Sequence, residues 1–264
     1  MFRRGGDNGA VGSLPRLAFL GHSTVLIEVD GLRILTDPVL FDRVTVLRRI
    51  VTPVDPGLFA DIDAVVISHL HLDHFDLPSL RLLGTATEIV VPRGAGNLLR
   101  RAGFEHVTEL GPAERTAIGG VSITATRAVH SGFRPPFGPR ATAVGYVIES
   151  AATRIYFAGD TDLFPEMRDL GPDLDVALIP VWGWGPTLGP GHLDPTRAAA
   201  AVGLLRPAFA VPIHWGTFWP YGLGRVRPGL LTEPPLEFAA RAAEAHPKAT
   251  IVVTPPGESI AFAP

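Results

Sequence analysis

Residues 68–76 read SHLHLDHFD, three histidines and two aspartates in nine positions, directly after the strand-forming run AVVI (64–67). Imidazole and carboxylate are donors that zinc, iron and manganese take from proteins. The pattern H-x-H-x-D-H rarely arises by chance; the bland alternative is a polar turn whose histidines cap a helix. In an extended segment, positions two apart point the same way, so His69, His71 and Asp73 would share one side. His74 follows as the chain turns. Four candidate donors in six positions are more than one ion easily shares, which predicts two ions.

Two ions need more donors, and other strand ends supply candidates. Strand-like runs cover 16–20, 24–29 and 32–36, the last two split by an Asp30-Gly31 turn, then 64–68 and 88–92. Further runs cover 121–129, 143–150, 153–160, 175–180, 208–213 and 250–254, with helical patterns over 77–83, 95–103, 194–205 and 235–246. Asp194 is placed to cap its helix, with Pro195 at the first helical position. Two β-rich halves with interspersed helices predict two packed sheets covered by helices. His130, Asp160 and His214 each stand where an apolar run stops and a loop begins, the usual place for a site on a sheet scaffold.

Composition narrows the class. The chain has 264 residues, 46% of them hydrophobic and 19% charged, as in ordinary globular proteins. Length and pattern predict a Gly-rich lead-in over 1–15 and a single domain over 16–264. A net charge of -3 argues against a nucleic-acid partner bound through a broad basic field. With no cysteine, disulfides, thiolate nucleophiles and Cys-ligated metals are excluded. The N-terminal stretch has two arginines but no apolar run behind them, and no run approaches bilayer length; the expected location is cytoplasmic.

These motifs, in this order, resemble the metallo-β-lactamase fold hydrolases, from about residue 16 to the C-terminus. Asp37 in LTDP matches the first motif, HLHLDH (69–74) the second, and His130 in AVHSG the third. Asp160 in AGDTD and His214 in PIHWG match the fourth and fifth. The resemblance implies an αββα sandwich of two mixed sheets flanked by helices. It implies one ion on His69, His71 and His130, a second on Asp73, His74 and His214, and Asp160 bridging them. Asp37 would be a buried partner of the ligand loop. Zinc is the first candidate metal, with manganese or iron as alternatives. GHSTVLIE (21–28), LTDPVL (35–40), GHLDP (191–195) and HWGTF (214–218) are similar to the branch containing N-acyl-phosphatidylethanolamine-hydrolysing phospholipase D and ascorbate-6-phosphate lactonase.

Two neighbouring cations lower the pKa of a shared water enough to give hydroxide near neutral pH, which attacks phosphorus or a carbonyl carbon. Asp73 or Asp160 would orient that water. His192 is the candidate for holding substrate or protonating the leaving group, against a merely structural loop histidine. His22 belongs either at the site rim or beneath the ligand loop. Trp182, Trp184, Phe218, Trp219 and Tyr221, near two of the motifs, are candidates for an apolar substrate wall, with core packing as the alternative, as it is for Trp215. Segment 40–59, with Arg43, Arg48 and Arg49, reads as an amphipathic lid able to grip a phosphate, or less readily touch a membrane, or as solvated surface. The expected activity is hydrolysis of a phosphodiester in a small-molecule or lipid-like substrate. A lactonase or carboxylic-ester hydrolase is the alternative, and a non-catalytic metal-dependent sensor is the reading from another class.

Overall fold

The structure is a computed structural model and describes residues 15–171, 173–222 and 227–262. The Gly-rich lead-in expected over 1–15 lies, apart from Pro15, outside the described residues. The chain opens with strands β1 (Arg16–Gly21), β2 (Thr24–Val29) and β3 (Leu32–Thr36), followed by a short hairpin of β4 (Arg43–Val44) and β5 (Leu47–Arg49). Next come β6 (Ala64–Val66), α1 (Leu77–Leu83), β7 (Glu88–Pro92), α2 (Gly96–Arg101) and β8 (Val107–Leu110). Then follow β9 (Arg115–Ile118), β10 (Val121–Arg127), β11 (Val144–Glu149), β12 (Arg154–Phe157) and β13 (Val176–Pro180). The last part holds α3 (Pro195–Leu205), β14 (Phe209–Ile213), β15 (Phe218–Pro220), α4 (Glu233–Ala245), β16 (Thr250–Ile251) and β17 (Glu258–Ile260).

Two seven-stranded sheets form, in the orders β17-β1-β2-β3-β6-β7-β8 and β16-β14-β13-β12-β11-β10-β9. Each is antiparallel in one half and parallel in the other. Side chains alternate across each strand. Leu17, Phe19, Val25, Ile27 and Val66 therefore face the second sheet in the main core. Ala18, Leu20, Leu26, Val65 and Ile67 face outward, beneath Leu80 of α1 and Leu99 of α2. On the far side, Ala198 and Val202 of α3 and Phe238 of α4 close the main core. Burial on both faces explains why the strands read as nearly continuous apolar runs. The expected αββα sandwich is the observed one.

Helix starts follow local rules. Asp76 accepts from Ser79 N–H at the start of α1, and Asp194 accepts from Arg197 N–H at the start of α3, with Pro195 in its first turn. Strands that the sequence pattern does not predict are short or at edges. β8 and β9 are only partly buried, and β17 pairs at the rim of the first sheet. Segment 40–59, expected as an amphipathic lid or solvated surface, holds the β4–β5 hairpin, paired to β15 from far along the chain.

Strand polarity places the site. β3 and β6 are parallel, as are β12, β13 and β14, and β10 runs with β12 across their shared neighbour β11. The loops after β3, β6, β10, β12 and β14 thus emerge at the C-terminal edges of the sheets, carrying Asp37, residues 68–74, His130, Asp160 and His214.

Candidate metal centre

The 68–74 loop is a turn rather than an extension of β6. His74 N–H and Phe75 N–H both donate to His71 C=O, at 3.1 and 2.8 Å. Fully buried Leu70 and Phe75 anchor the loop in the outer core while the polar side chains between them turn inward. The turn separates residues that an extended chain would have kept on one side. His69 and His71 join His130, whereas Asp73 and His74 join His214.

Two donor sets result. Ring nitrogens of His69, His71 and His130 lie within 4.8 Å of one another, with His130 Nε2 at 3.0 Å from His71 Nδ1. One ligand atom each from His22, Asp73, His74 and His214 forms a second set within the same limit. Asp160 stands between them. Its Oδ2 is 3.2 Å from His74 Nε2 and 3.9 Å from both His69 Nε2 and His130 Nε2, while Oδ1 is 3.3 Å from His214 Nε2.

Four of the imidazoles are aimed by a partner on the other nitrogen. His130 Nδ1–H donates to Gly191 C=O and His214 Nδ1–H to Trp182 C=O, both at 2.7 Å. A carbonyl only accepts, so both rings present the bare Nε2 to the centre. His74 Nδ1–H donates to Asp37 Oδ2 at 2.7 Å, and His69 Nδ1 meets Ser68 Oγ at 2.9 Å. Fully buried Asp37 also accepts from Ser68 N–H at 2.7 Å and from the Ser68 hydroxyl, so one carboxylate organises the whole ligand loop. Asp37, His22 and His214 all adopt positive φ, a conformation costly for non-glycine residues that tends to occur at functional sites.

Burial drives His69 and His214 well below the ordinary histidine value, brings His71 to about 4, and lowers His130 and His22. These rings are neutral donors at neutral pH. Burial also opposes ionisation of Asp73 and Asp160, but the surrounding imidazoles outweigh it and hold both carboxyls well below their usual range. His74 is the exception among the donor histidines: burial opposes its charge, yet Asp160 and Asp73 raise it well above the ordinary value. Asp37 is raised by burial. The donors fit a metal cation on a further observation. His69 Nε2 and Asp160 Oδ1 are buried without a hydrogen-bond partner, and both face the centre. Such orphaned atoms are costly unless something charged meets them.

The centre opens into a cleft of about 280 Å³, lined by His71, Asp73, Asp160 and His192 below and by Val44, Val46, Leu47, Leu72, Pro135 and Trp184 around it. His192 Nε2 is 3.3 Å from Asp160 Oδ2, and its Nδ1–H faces Gly189 C=O and Pro190 C=O. The five candidate wall aromatics divide. Trp184 lines the cleft and donates its indole N–H to Asp73 Oδ2 at 2.9 Å. Trp182 packs on the main core, with its indole N–H on Gly185 C=O. Phe218 is buried edge-on against His22, and Trp219 is buried in β15. Tyr221 is exposed beneath Arg43, away from the cleft. Along β15, Phe218 packs with Val44, Leu47 and Leu72 and so backs the cleft wall, while Trp219 alternates to the other side. The hairpin residues that do form the wall carried no chemical signal in the sequence; nor did Ser68 beyond its place beside the motif.

Known proteins similar to this chain fall in one superfamily. A family model described as "Beta-lactamase superfamily domain" matches residues 32–215. A UPF0173 metal-dependent hydrolase of Methanopyrus kandleri is 32% identical over 257 residues, which span 92% of this chain and 98% of that one. A Mycobacterium tuberculosis protein named only as uncharacterized is 32% identical over 269 residues, 94% of this chain and 70% of its own. Among solved structures, Igni18, a metallo hydrolase from the archaeon Ignicoccus hospitalis, aligns with a TM-score of 0.74 at 27% identity, covering 94% of this chain and 98% of that one. With a family model over most of its length, and a named relative covered almost end to end, the chain belongs to the beta-lactamase superfamily, among the UPF0173 metal-dependent hydrolases.

Proposed function

We propose that the protein is a two-ion hydrolase whose substrate is an uncharged carboxylic ester or lactone with an apolar portion. The lining of the cleft carries this reading: its walls are apolar, and among the described residues no arginine or lysine lines it. The arginines expected to grip a phosphate lie off the cleft. The Arg49 guanidinium is buried and donates to Leu20 C=O and Val39 C=O. Arg43 and Arg48 pair across the hairpin on the face opposite Val44 and Leu47, and Arg134 donates to Leu70 C=O and Phe75 C=O. An apolar chamber with a few convergent polar groups suits a small uncharged ligand. The motif resemblance to the phospholipase branch supports the phosphodiester alternative, but among the described residues a diester would meet no arginine or lysine there.

His69, His71 and His130 would hold one ion, Asp73, His74 and His214 the second, with Asp160 between them. When bound, such ions polarise a carbonyl and supply a nucleophile from water at neutral pH. The chain's own residues do the rest. Val44, Leu47, Leu72 and Trp184 exclude bulk water and hold the apolar portion of the substrate. Asp160 is positioned to accept a hydrogen bond from attacking water and orient it, and His192, with both ring nitrogens against acceptors, to deliver a proton to the leaving oxygen.

The reading is tested by offering zinc- or manganese-loaded protein an apolar lactone, an acyl ester and an aryl phosphodiester side by side. Faster turnover of the lactone or ester supports it; faster diester cleavage overturns it in favour of the phospholipase-like alternative. No turnover on a broad ester panel, with metal bound, would favour a sensor. His192→Ala is expected to lower kcat about 100-fold on alkyl esters, whose leaving group needs a proton. The loss should be much smaller on nitrophenyl esters, and bound metal should be unchanged. An equal loss on both substrates would remove His192 from the proton-donor role.

A further inference from the structure

We infer that His22 is itself a donor to the second ion, so that the two ions are held unequally. The inference rests on the two-ion reading above. The motifs place three residues in that set; the structure adds a fourth. His22 Nε2 lies 3.0 Å from Asp73 Oδ2, within 4.8 Å of the ligand atoms of His74 and His214, and its ring centre is 3.9 Å from that of His214. The residue is buried, in the turn between β1 and β2, where φ is +56°.

Backbone bonds hold that turn against the metal loop. His22 N–H donates to Thr217 Oγ1 at 2.7 Å, and His22 C=O accepts from His214 N–H at 2.7 Å. His22 and His214 are thereby placed by each other, although 192 positions separate them in sequence. Arg49 ties down the preceding Leu20 C=O, and Phe218 packs edge-on against the His22 ring. A turn built only to join two strands needs no buried imidazole pinned on three sides. With Asp160 shared, the set containing His22 has five side chains; the His69–His71–His130 set has four, with His192 grouped beside His130 and Asp160.

The two sets also differ in access. Each set has one member of its own in the cleft lining, Asp73 or His71, but His22, His74 and His214 are buried, whereas of His69, His71 and His130 only His69 is. Sites closed by protein ligands serve to hold a metal, and sites with an open position serve to react. The ion near His22 is accordingly the retained one, and the ion on the cleft side the exchangeable one.

The test compares wild type, His22→Ala and His22→Gln, the last keeping a hydrogen-bond donor for Asp73 without an imidazole. Metal-free proteins are loaded with zinc or cobalt, and ions per chain are measured by mass spectrometry during a chelator titration. The visible spectrum of the cobalt forms reports coordination, and near-UV circular dichroism of the metal-free forms reports folding. Wild type is expected to lose two ions in separate steps. Both variants should bind the tighter ion at least about tenfold more weakly, with an altered cobalt spectrum. Wild-type affinities and spectrum in both variants, or in His22→Gln alone, would overturn the inference and leave His22 as a hydrogen-bond partner of Asp73. A wild type holding a single ion would overturn the two-ion reading. Loss of that single ion in both variants would still support His22 as a donor, and its retention would overturn that too.

Discussion

Asp160→Ala is expected to abolish hydrolysis, lowering kcat/KM by on the order of 10³-fold or more, because it removes the carboxylate that stands between the two donor sets. Bound metal should fall with activity. A substitution that merely slowed the chemistry would leave two ions in place and lower kcat alone. The fold should survive, since Asp160 lies at the loop end of β12 and the alternating apolar residues of the sheets are untouched. Metal analysis, turnover and a circular dichroism melt on the same sample decide the matter. Full metal content with normal turnover would show that the centre has been wrongly assigned.

Gly159→Ala, one residue earlier, should give a large loss of stability. A Cβ there would stand 2.4 Å from Ser68 Cβ and 2.8 Å from Ser68 Oγ, on a backbone with φ of +57°. Left-handed backbone costs a non-glycine residue about 1 kcal/mol, and overpacking a filled site about 2 kcal/mol more. A total of about 3 kcal/mol corresponds to a fall of roughly 6–12 °C in Tm for a chain of this size. Ser68 precedes His69 and is held by Asp37, so its displacement should also weaken metal binding. Gly31→Ala serves as the control. Its φ is also positive, at +80°, but nothing lies within 4 Å of the added carbon, so only the backbone cost remains and metal binding should not change. Equal losses in the two variants would show that the close approach at Ser68 is not what Gly159 is for.

Much of the fold was readable because both faces of the central strands are buried. Such strands must be apolar throughout, and runs such as TVLIEV and DVALIP announce themselves. The helices gave equally local signals in Asp76 and in Asp194-Pro195. The partly buried edge strands β8 and β9 gave no such run. The β4–β5 hairpin was misread because its third strand comes from residues 218–220, and no local pattern encodes that pairing.

For the site, the sequence by itself determined the donor types and the strand ends that carry them. Metal chemistry restricts the donors to a few side chains, and a rigid sheet offers few places to put them. Only the tertiary structure decided which donors converge. The turn at 71–75 divides one motif between two sets, and the hydrogen bond from His214 N–H to His22 C=O brings a turn histidine into the second. It also decided the character of the cleft. Whether an arginine reaches a substrate or is spent on two carbonyls depends on which face of a three-residue strand it occupies. That face is set by pairing with residues far along the chain, not by the neighbours that sequence reading can see.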